Sequence, residues 1–88
     1  MKVAGMASNR GRNLMNIADR RPGGAELSVV LTNDADAPVL AKAAERDIPT
    51  AVVEHEASES REEHEERVLD ALADHEFDLV ALDGYMRI

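Results

Sequence analysis

The chain has 88 residues, of which 18 are acidic and 10 basic, so its formal net charge is −8. This length suits one small domain with a thin hydrophobic core. The absence of cysteine excludes disulfides and thiol catalysis, and the acidic balance argues against a nucleic-acid partner. No apolar run approaches the ~20 residues that cross a bilayer, and the first residues do not form a signal peptide. We therefore expect a cytoplasmic protein that binds neither nucleic acid nor membrane.

The kinds of charged residue point to adaptation to salt. Only Lys2 and Lys42 are lysines, whereas eight residues are arginine, and the aromatic residues are limited to Phe77 and Tyr85. An excess of carboxylates suits concentrated salt, where counter-ions screen their mutual repulsion. The composition predicts a salt-adapted protein, with an ordinary acidic protein as the alternative.

Four short apolar segments alternate with helical patterns. Strands are predicted at residues 3–7, 27–31, 48–53 and 77–82. The apolar positions of the three intervening helices are Leu14, Ile17 and Ala18 in the first, Val39, Leu40, Ala43 and Ala44 in the second, and Val68, Leu69 and Leu72 in the third. Strands separated by helices pair in parallel. The chain is thus predicted to be an α/β protein with a Rossmann-like parallel sheet in βαβαβαβ order.

Two helix starts carry capping signals. Asp36 is a candidate cap for the second helix, and Pro38 suits its first turn because no N–H is needed there. Ser60 and Glu63 have the spacing of a capping box at the start of the third helix.

The loop after the first strand is the best local candidate for a binding site. It reads Ser-Asn-Arg-Gly-Arg-Asn over residues 8–13 and leads into a helix N-terminus, where free amides favour an anion. Gly11 would let the backbone approach a phosphate, and Arg12 would add a charged donor. The loop matches neither the dinucleotide glycine motif nor the Walker loop. The alternative is a tight turn that holds two arginines.

The other polar residues carry weaker signals. His55, His64 and His75 lie in acidic, polar stretches without an HExxH motif, so we expect surface histidines and no metal. The glutamates of residues 62–66 suggest a solvated helix face, with Glu63 and Arg67 spaced for an ion pair.

Arg61 is placed where a positive charge is unfavourable, because it opens the third helix and the dipole there is itself positive. The misfit predicts a ligand or a neighbouring carboxylate beside Arg61. Residues 83–88 follow the last strand, at the edge where open α/β sheets bind ligands. Since no closing helix follows that strand, we expect the chain to be a fragment of a larger domain.

Four segments, in order and in register, resemble the folate-dependent phosphoribosylglycinamide formyltransferases. They are the loop of residues 8–14, the turn Leu-Thr-Asn-Asp-Ala-Asp-Ala of residues 31–37, the capped Ser-Arg-Glu of residues 60–62, and Leu-Asp-Gly-Tyr-Met-Arg-Ile of residues 82–88. The resemblance covers residues 1–88 but only the N-terminal part of the family's domain.

The resemblance implies transfer of a formyl group from 10-formyltetrahydrofolate, as co-substrate, to the amine of 5-phosphoribosylglycinamide in purine (IMP) synthesis. By position, the ribotide phosphate is assigned to Gly11, Arg12 and Asn13, and the folate to Arg61, Met86, Arg87 and Ile88. Arg12 stands where the family usually has a hydroxyl residue, Asp83 where it has a small one, and Tyr85 where Phe is more usual.

The family's catalytic Asn and His, in an Asn-x-His-Pro segment, and its later Asp lie beyond the position of Ile88. The resemblance therefore implies that the 88-residue chain is inactive by itself. Within the superfamily, a formyl-folate deformylase and a methionyl-tRNA formyltransferase share the folate-side loop. From another class, a non-catalytic α/β module that binds a phosphorylated metabolite, or a structural subunit, stays open.

Overall fold

The computed structural model describes residues 1–54 and 60–83, which form a four-stranded sheet with helices on both faces. In chain order the elements are β1 (Lys2–Ala7), α1 (Arg12–Arg20), β2 (Glu26–Thr32), α2 (Pro38–Glu45), β3 (Thr50–Val52), α3 (Arg61–Leu72) and β4 (Leu79–Asp83). The strand order is β3-β2-β1-β4, and every neighbouring pair is parallel. The predicted Rossmann-like parallel sheet in βαβαβαβ order is confirmed.

Alternation along β1 divides the core into two layers. Val3 and Ala7 face α1 and α2, whereas Ala4 and Met6 face α3. Because helices cover both faces, the central strands are apolar on both sides rather than alternating with polar residues. This is why the apolar runs of the sequence indicated strands buried in a parallel sheet.

α1 lies unusually close to the sheet at Gly5. A Cβ built on Gly5 would lie 2.8 Å from both Cδ atoms of Leu14 and 3.0 Å from Cδ1 of Leu27. Leu14 is 1% exposed, so it has little room to move aside. Glycine at position 5 thus sets the depth at which α1, and with it the preceding loop, sits against β1.

The start of α2 differs from its prediction. The N-cap is Ala37, without a side-chain cap, and the Asp36 amide instead donates to Oδ1 of Asp34 at 2.8 Å. The prediction that Asp36 caps this helix is therefore wrong. Asp34 forms a local turn that brings the chain round before the helix begins. Pro38 does occupy the first turn, as predicted.

The buried face of α2 is narrower than predicted. Val39 and Ala43, four residues apart, are fully buried, Leu40 is half-buried, and Ala44 is exposed. The expectation for Ala44 is wrong because a short helix against one sheet face buries only the stripe at a spacing of four.

His64 is a buried histidine, not the surface histidine predicted from its acidic neighbours. It is 1% exposed, on the same helix face as the buried Val68 and Leu72. The spacing of 64, 68 and 72 is the i, i+4, i+8 pattern of a helix stripe that faces a core. His75 is half-buried beyond the end of α3, and His55 lies outside the described residues.

Candidate substrate-binding site

The carboxyl ends of β1 and β4 bring two candidate regions together. Met6 pairs with Leu82, and Ala7 pairs with Asp83, at the last positions of the two strands. Successive side chains of a strand point to opposite faces. Leu82 consequently faces α3, while Asp83 contacts α1. One strand end thus contributes to both regions, which lie on opposite faces of the sheet at the same edge.

The first region is the Gly11 loop, residues 8–13, and Gly11 has the backbone conformation that favours glycine. Its φ is 60° and its ψ 40°, in the left-handed region. A Cβ there would lie 2.5 Å from Cγ2 of Val39. The loop is also tied to α2, because the Val39 amide donates to the Asn9 carbonyl at 3.1 Å. Only glycine therefore fits at position 11, and the hydrogen bond to α2 fixes the path of the loop's main chain.

The beginning of α1 is electropositive. Its first turn contains no acidic residue, and Arg12 occupies its first helical position with an exposed side chain. Within residues 1–54 and 60–83, neither Arg10 nor Arg12 forms an ion pair. The helix dipole adds positive potential at the same place. Two guanidinium groups and a helix N-terminus together form a surface that attracts an anion.

Asp83 provides the one acidic group bonded to this helix start in the described structure. The Asn13 amide donates to Oδ2 of Asp83 at 2.9 Å, and the Asn13 side-chain Nδ2 donates to Oδ1 at 3.2 Å. The carboxylate thus caps α1 from a strand 70 residues along the chain. Sequence reasoning noted Asp83 but missed this contact, since no local signal links residues so far apart.

The second region is a recess between α3 and the β1–β4 edge, named here the α3 recess. It is lined by Met6, Arg61, His64, Glu65, Val68, Leu69 and Leu82. Leu69 is 63% exposed and Leu82 70% exposed, so apolar surface faces outward beside the guanidinium of Arg61. A flat ring system with polar edges is the kind of ligand that such a mixed lining accommodates.

The predicted capping box fixes Arg61 at the first position of α3. The Glu63 amide donates to Ser60 Oγ at 3.1 Å, and the Ser60 amide donates to Glu63 Oε1 at 3.2 Å. Arg67 donates to the Glu54 carbonyl at 3.0 Å, which ties the helix to the segment after β3. The prediction of the box is confirmed, and Arg61 stands exposed at the rim of the recess.

Another depression lies at the opposite, amino-terminal edge of the sheet, and several of the charges around it are paired. Lys2 bonds Glu76 at 2.8 Å, which lowers the pKa of Glu76 and raises that of Lys2. Arg46 holds Asp19 through two hydrogen bonds, of 2.8 and 3.0 Å, and lowers its pKa. These exposed pairs satisfy one another, so we place the candidate site at the carboxyl edge, in agreement with the rule for open α/β sheets.

Three of the predicted site residues are not placed by the structure. Met86, Arg87 and Ile88 lie outside the described residues. Within 1–54 and 60–83, no three His, Asp or Glu side chains gather as metal ligands would. In that same part of the chain, no helix is long and apolar enough to cross a membrane.

Comparison with known proteins decides the family. The sequence model described as formyl transferase matches residues 1–88. The chain belongs to the formyl transferase family. Its curated relatives include the trifunctional purine biosynthetic protein adenosine-3 of Gallus gallus, 35% identical over all of this chain and 9% of that protein. The phosphoribosylglycinamide formyltransferase of Haemophilus influenzae is 34% identical over 99% of this chain and 42% of that enzyme.

Solved structures agree with this assignment. The glycinamide ribonucleotide transformylase 1 of Symbiobacterium toebii superposes with a TM-score of 0.88 at 28% identity, over all of this chain and 43% of that one. The phosphoribosylglycinamide formyltransferase of Brucella melitensis gives 0.84 at 36% identity, over 99% of this chain and 47% of that one. This chain therefore spans less than half the length of these relatives.

Proposed function

We propose that the protein carrying this chain transfers a formyl group from 10-formyltetrahydrofolate to the amine of 5-phosphoribosylglycinamide, in the synthesis of IMP. The match of all 88 residues to the formyl transferase family carries the proposal. Relatives named for the same reaction, with identities of 34% and 36%, support the choice of substrate within the family. Among the alternatives, no feature of the described residues favours a tRNA substrate or a purely structural subunit.

The Gly11 loop suits the phosphate of the ribotide. Gly11 holds the main chain in a conformation that no larger residue fits, and α1 begins at the next residue, where the helix dipole favours an anion. The exposed guanidinium of Arg12 can pair with two phosphate oxygens. We therefore assign the phosphate to Gly11, Arg12 and Asn13.

The α3 recess suits the folate. Its apolar lining from Met6, Leu69 and Leu82 offers contact to a flat ring, and Arg61 at the rim offers a partner for a carboxylate. The cation stands at a helix N-terminus, where it is unfavourable unless an anion neutralises it. Arg61 and, beyond β4, Met86, Arg87 and Ile88 are the folate residues of this proposal.

The position of the two regions fits the reaction. The ribotide amine attacks the formyl carbon and loses a proton, the bond from that carbon to the folate nitrogen breaks, and that nitrogen takes up a proton as tetrahydrofolate leaves. For this the two substrates must meet, and the Gly11 loop and the α3 recess flank the same end of β4. The residues described here bind and orient. The 88-residue chain is proposed to have no turnover alone, since the family's catalytic Asn, His and Asp match positions beyond Ile88.

The test is formyl transfer by the full-length protein, measured as tetrahydrofolate formed from 10-formyltetrahydrofolate. Product is expected only when 5-phosphoribosylglycinamide is present. Release of formate without the ribotide would instead indicate a deformylase. Binding of phosphorylated metabolites without any turnover would support the non-catalytic module. The 88-residue chain, assayed in parallel, is expected to match a blank without protein.

We further propose a cytoplasmic, salt-adapted protein, on the basis of its net charge of −8 and its two lysines. The unfolding midpoint in urea should rise from dilute buffer to molar KCl, as counter-ions screen the carboxylates. An unchanged midpoint would leave an ordinary acidic protein.

A further inference from the structure

We propose that Asp83 limits the affinity of the Gly11 loop for anions, because its carboxylate occupies an anion-binding amide and weakens the binding of phosphate. This inference rests on the proposed function, because it takes the loop to be the phosphate site. The proposed function assigns Asp83 to neither substrate, so this role is additional to it.

The geometry of the contact carries the proposal. The backbone amide of Asn13 donates to Oδ2 of Asp83 at 2.9 Å, and its side-chain amide donates to Oδ1 at 3.2 Å. A backbone amide has a single hydrogen, so a phosphate oxygen cannot take that donor while Asp83 holds it. The carboxylate is thus bonded to the α1 N-terminus at the place where a ligand anion would bind.

Charge strengthens the competition. A phosphate near Asn13 would lie within a few ångströms of the Asp83 carboxylate, and two like charges 4 Å apart repel by about 1 kcal/mol even in water. A ligand must either displace Asp83 or bind toward Gly11 and Arg12 instead. In both cases Asp83 weakens the binding of a phosphate group at the Gly11 loop.

The experiment is a titration of the full-length protein with inorganic phosphate at constant ionic strength, followed by the amide NMR signals of residues 11–13. Asp83→Asn keeps an oxygen that can accept from the Asn13 amide but removes the charge, and Asp83→Ala removes both. Both variants are expected to bind phosphate at least about fivefold more tightly than the wild type, the factor that corresponds to the repulsion above.

Asp78→Asn is the matched control. Oδ2 of Asp78 accepts the Lys2 amide at 3.0 Å, so this variant makes the same change of charge at a similar bond, near the amino end of β4. Its affinity for phosphate is expected to equal that of the wild type. Asp83→Asn also keeps the test valid if Asp83→Ala fails to fold, which thermal unfolding will show.

Three other results would each overturn the role of Asp83. Equal or weaker binding by both Asp83 variants, with shifts at residues 11–13 in all proteins, overturns the role of Asp83 and leaves the proposed function standing. Tighter binding by Asp78→Asn as well reduces the effect to net charge and also overturns it. If phosphate shifts none of these amides in any variant, both the role of Asp83 and the phosphate site of the proposed function are refuted.

Discussion

The two ends of the sheet differ in how far their charged side chains are paired. At the amino end, cations and carboxylates are matched, as in the pairs of Lys2 with Glu76 and of Arg46 with Asp19. At the carboxyl end, Arg12 and Arg61 stand at the first positions of α1 and α3, and neither pairs with an acid in the described part of the chain.

We interpret the difference as a separation between charges that are neutralised within the protein and charges that are available to ligands. Exposed ion pairs contribute little to stability, but they leave no charge for a partner to neutralise. A cation at a helix N-terminus opposes the helix dipole and costs stability. We propose that anionic ligands explain the two arginines at these helix starts, and four substitutions test this view.

The largest effect is expected from Gly11→Val. The new side chain would collide with Val39 and would force a left-handed φ on a branched residue, at a cost of about 1–3 kcal/mol. The loop should shift, and the KM of the full-length enzyme for the ribotide should rise by more than about tenfold, the factor for 1.4 kcal/mol. Steady-state kinetics with varied ribotide measures it.

Gly23→Val is the control for backbone strain. Gly23 also has a positive φ, of 63°, but a Cβ there meets no atom within 4 Å. Both variants should lose stability, and only Gly11→Val should lose affinity for the ribotide. A similar KM for the two would show that the Gly11 loop does not hold the phosphate.

Arg61→Ala should separate binding from stability. We expect a rise of about tenfold in the KM for 10-formyltetrahydrofolate, corresponding to one lost charge-assisted contact of about 1.5 kcal/mol. The KM for the ribotide should not change. The free energy of unfolding should stay the same or increase by about 0.3–1 kcal/mol, because an unfavourable charge leaves the helix N-terminus.

Arg20→Ala is the matched control, since Arg20 lies in the last turn of α1, where a cation is favourable. It should slightly lower stability and leave both KM values unchanged. Equal effects of Arg61→Ala on both substrates would contradict the assignment of Arg61 to the folate.

Ser60→Ala should have a moderate effect on stability. It removes the acceptor of the Glu63 amide, and loss of such a cap costs about 1 kcal/mol. Urea unfolding measures the change. Ser60→Asp supplies another good cap and should restore most of the stability. If Ser60→Ala and wild type unfold at the same urea concentration, the capping box contributes nothing measurable.

The smallest effect is expected at the amino edge, from Glu76→Gln, which should slightly lower the free energy of unfolding because Lys2 loses its carboxylate partner. Lys2 lowers the pKa of Glu76 below its ordinary 4.5, so the stabilisation is present above pH 4.5 and is lost as the pH falls through the lower, folded value. NMR titration should find the pKa of Glu76 restored toward its ordinary value in Lys2→Met. Neither Glu76→Gln nor Lys2→Met should change the KM for either substrate. A changed KM would contradict the view that only the carboxyl end of the sheet binds substrates.

The sequence by itself determined the elements and the local geometry that short-range chemistry controls. The alternation of apolar runs and helical patterns predicted a parallel α/β sheet, and the capping box at Ser60 was predicted from neighbouring residues alone. These features depend on contacts within a few residues, so a single sequence suffices to find them.

Only the tertiary structure decided which distant residues meet. Asp83 caps α1 across 70 residues, and His64 is buried because of what packs against α3, although its sequence neighbours are acidic. The strand order brings β4 beside β1 and so places the Gly11 loop and the α3 recess at one edge. Burial and long-range hydrogen bonds depend on the pairing of whole elements, which local residue patterns do not encode.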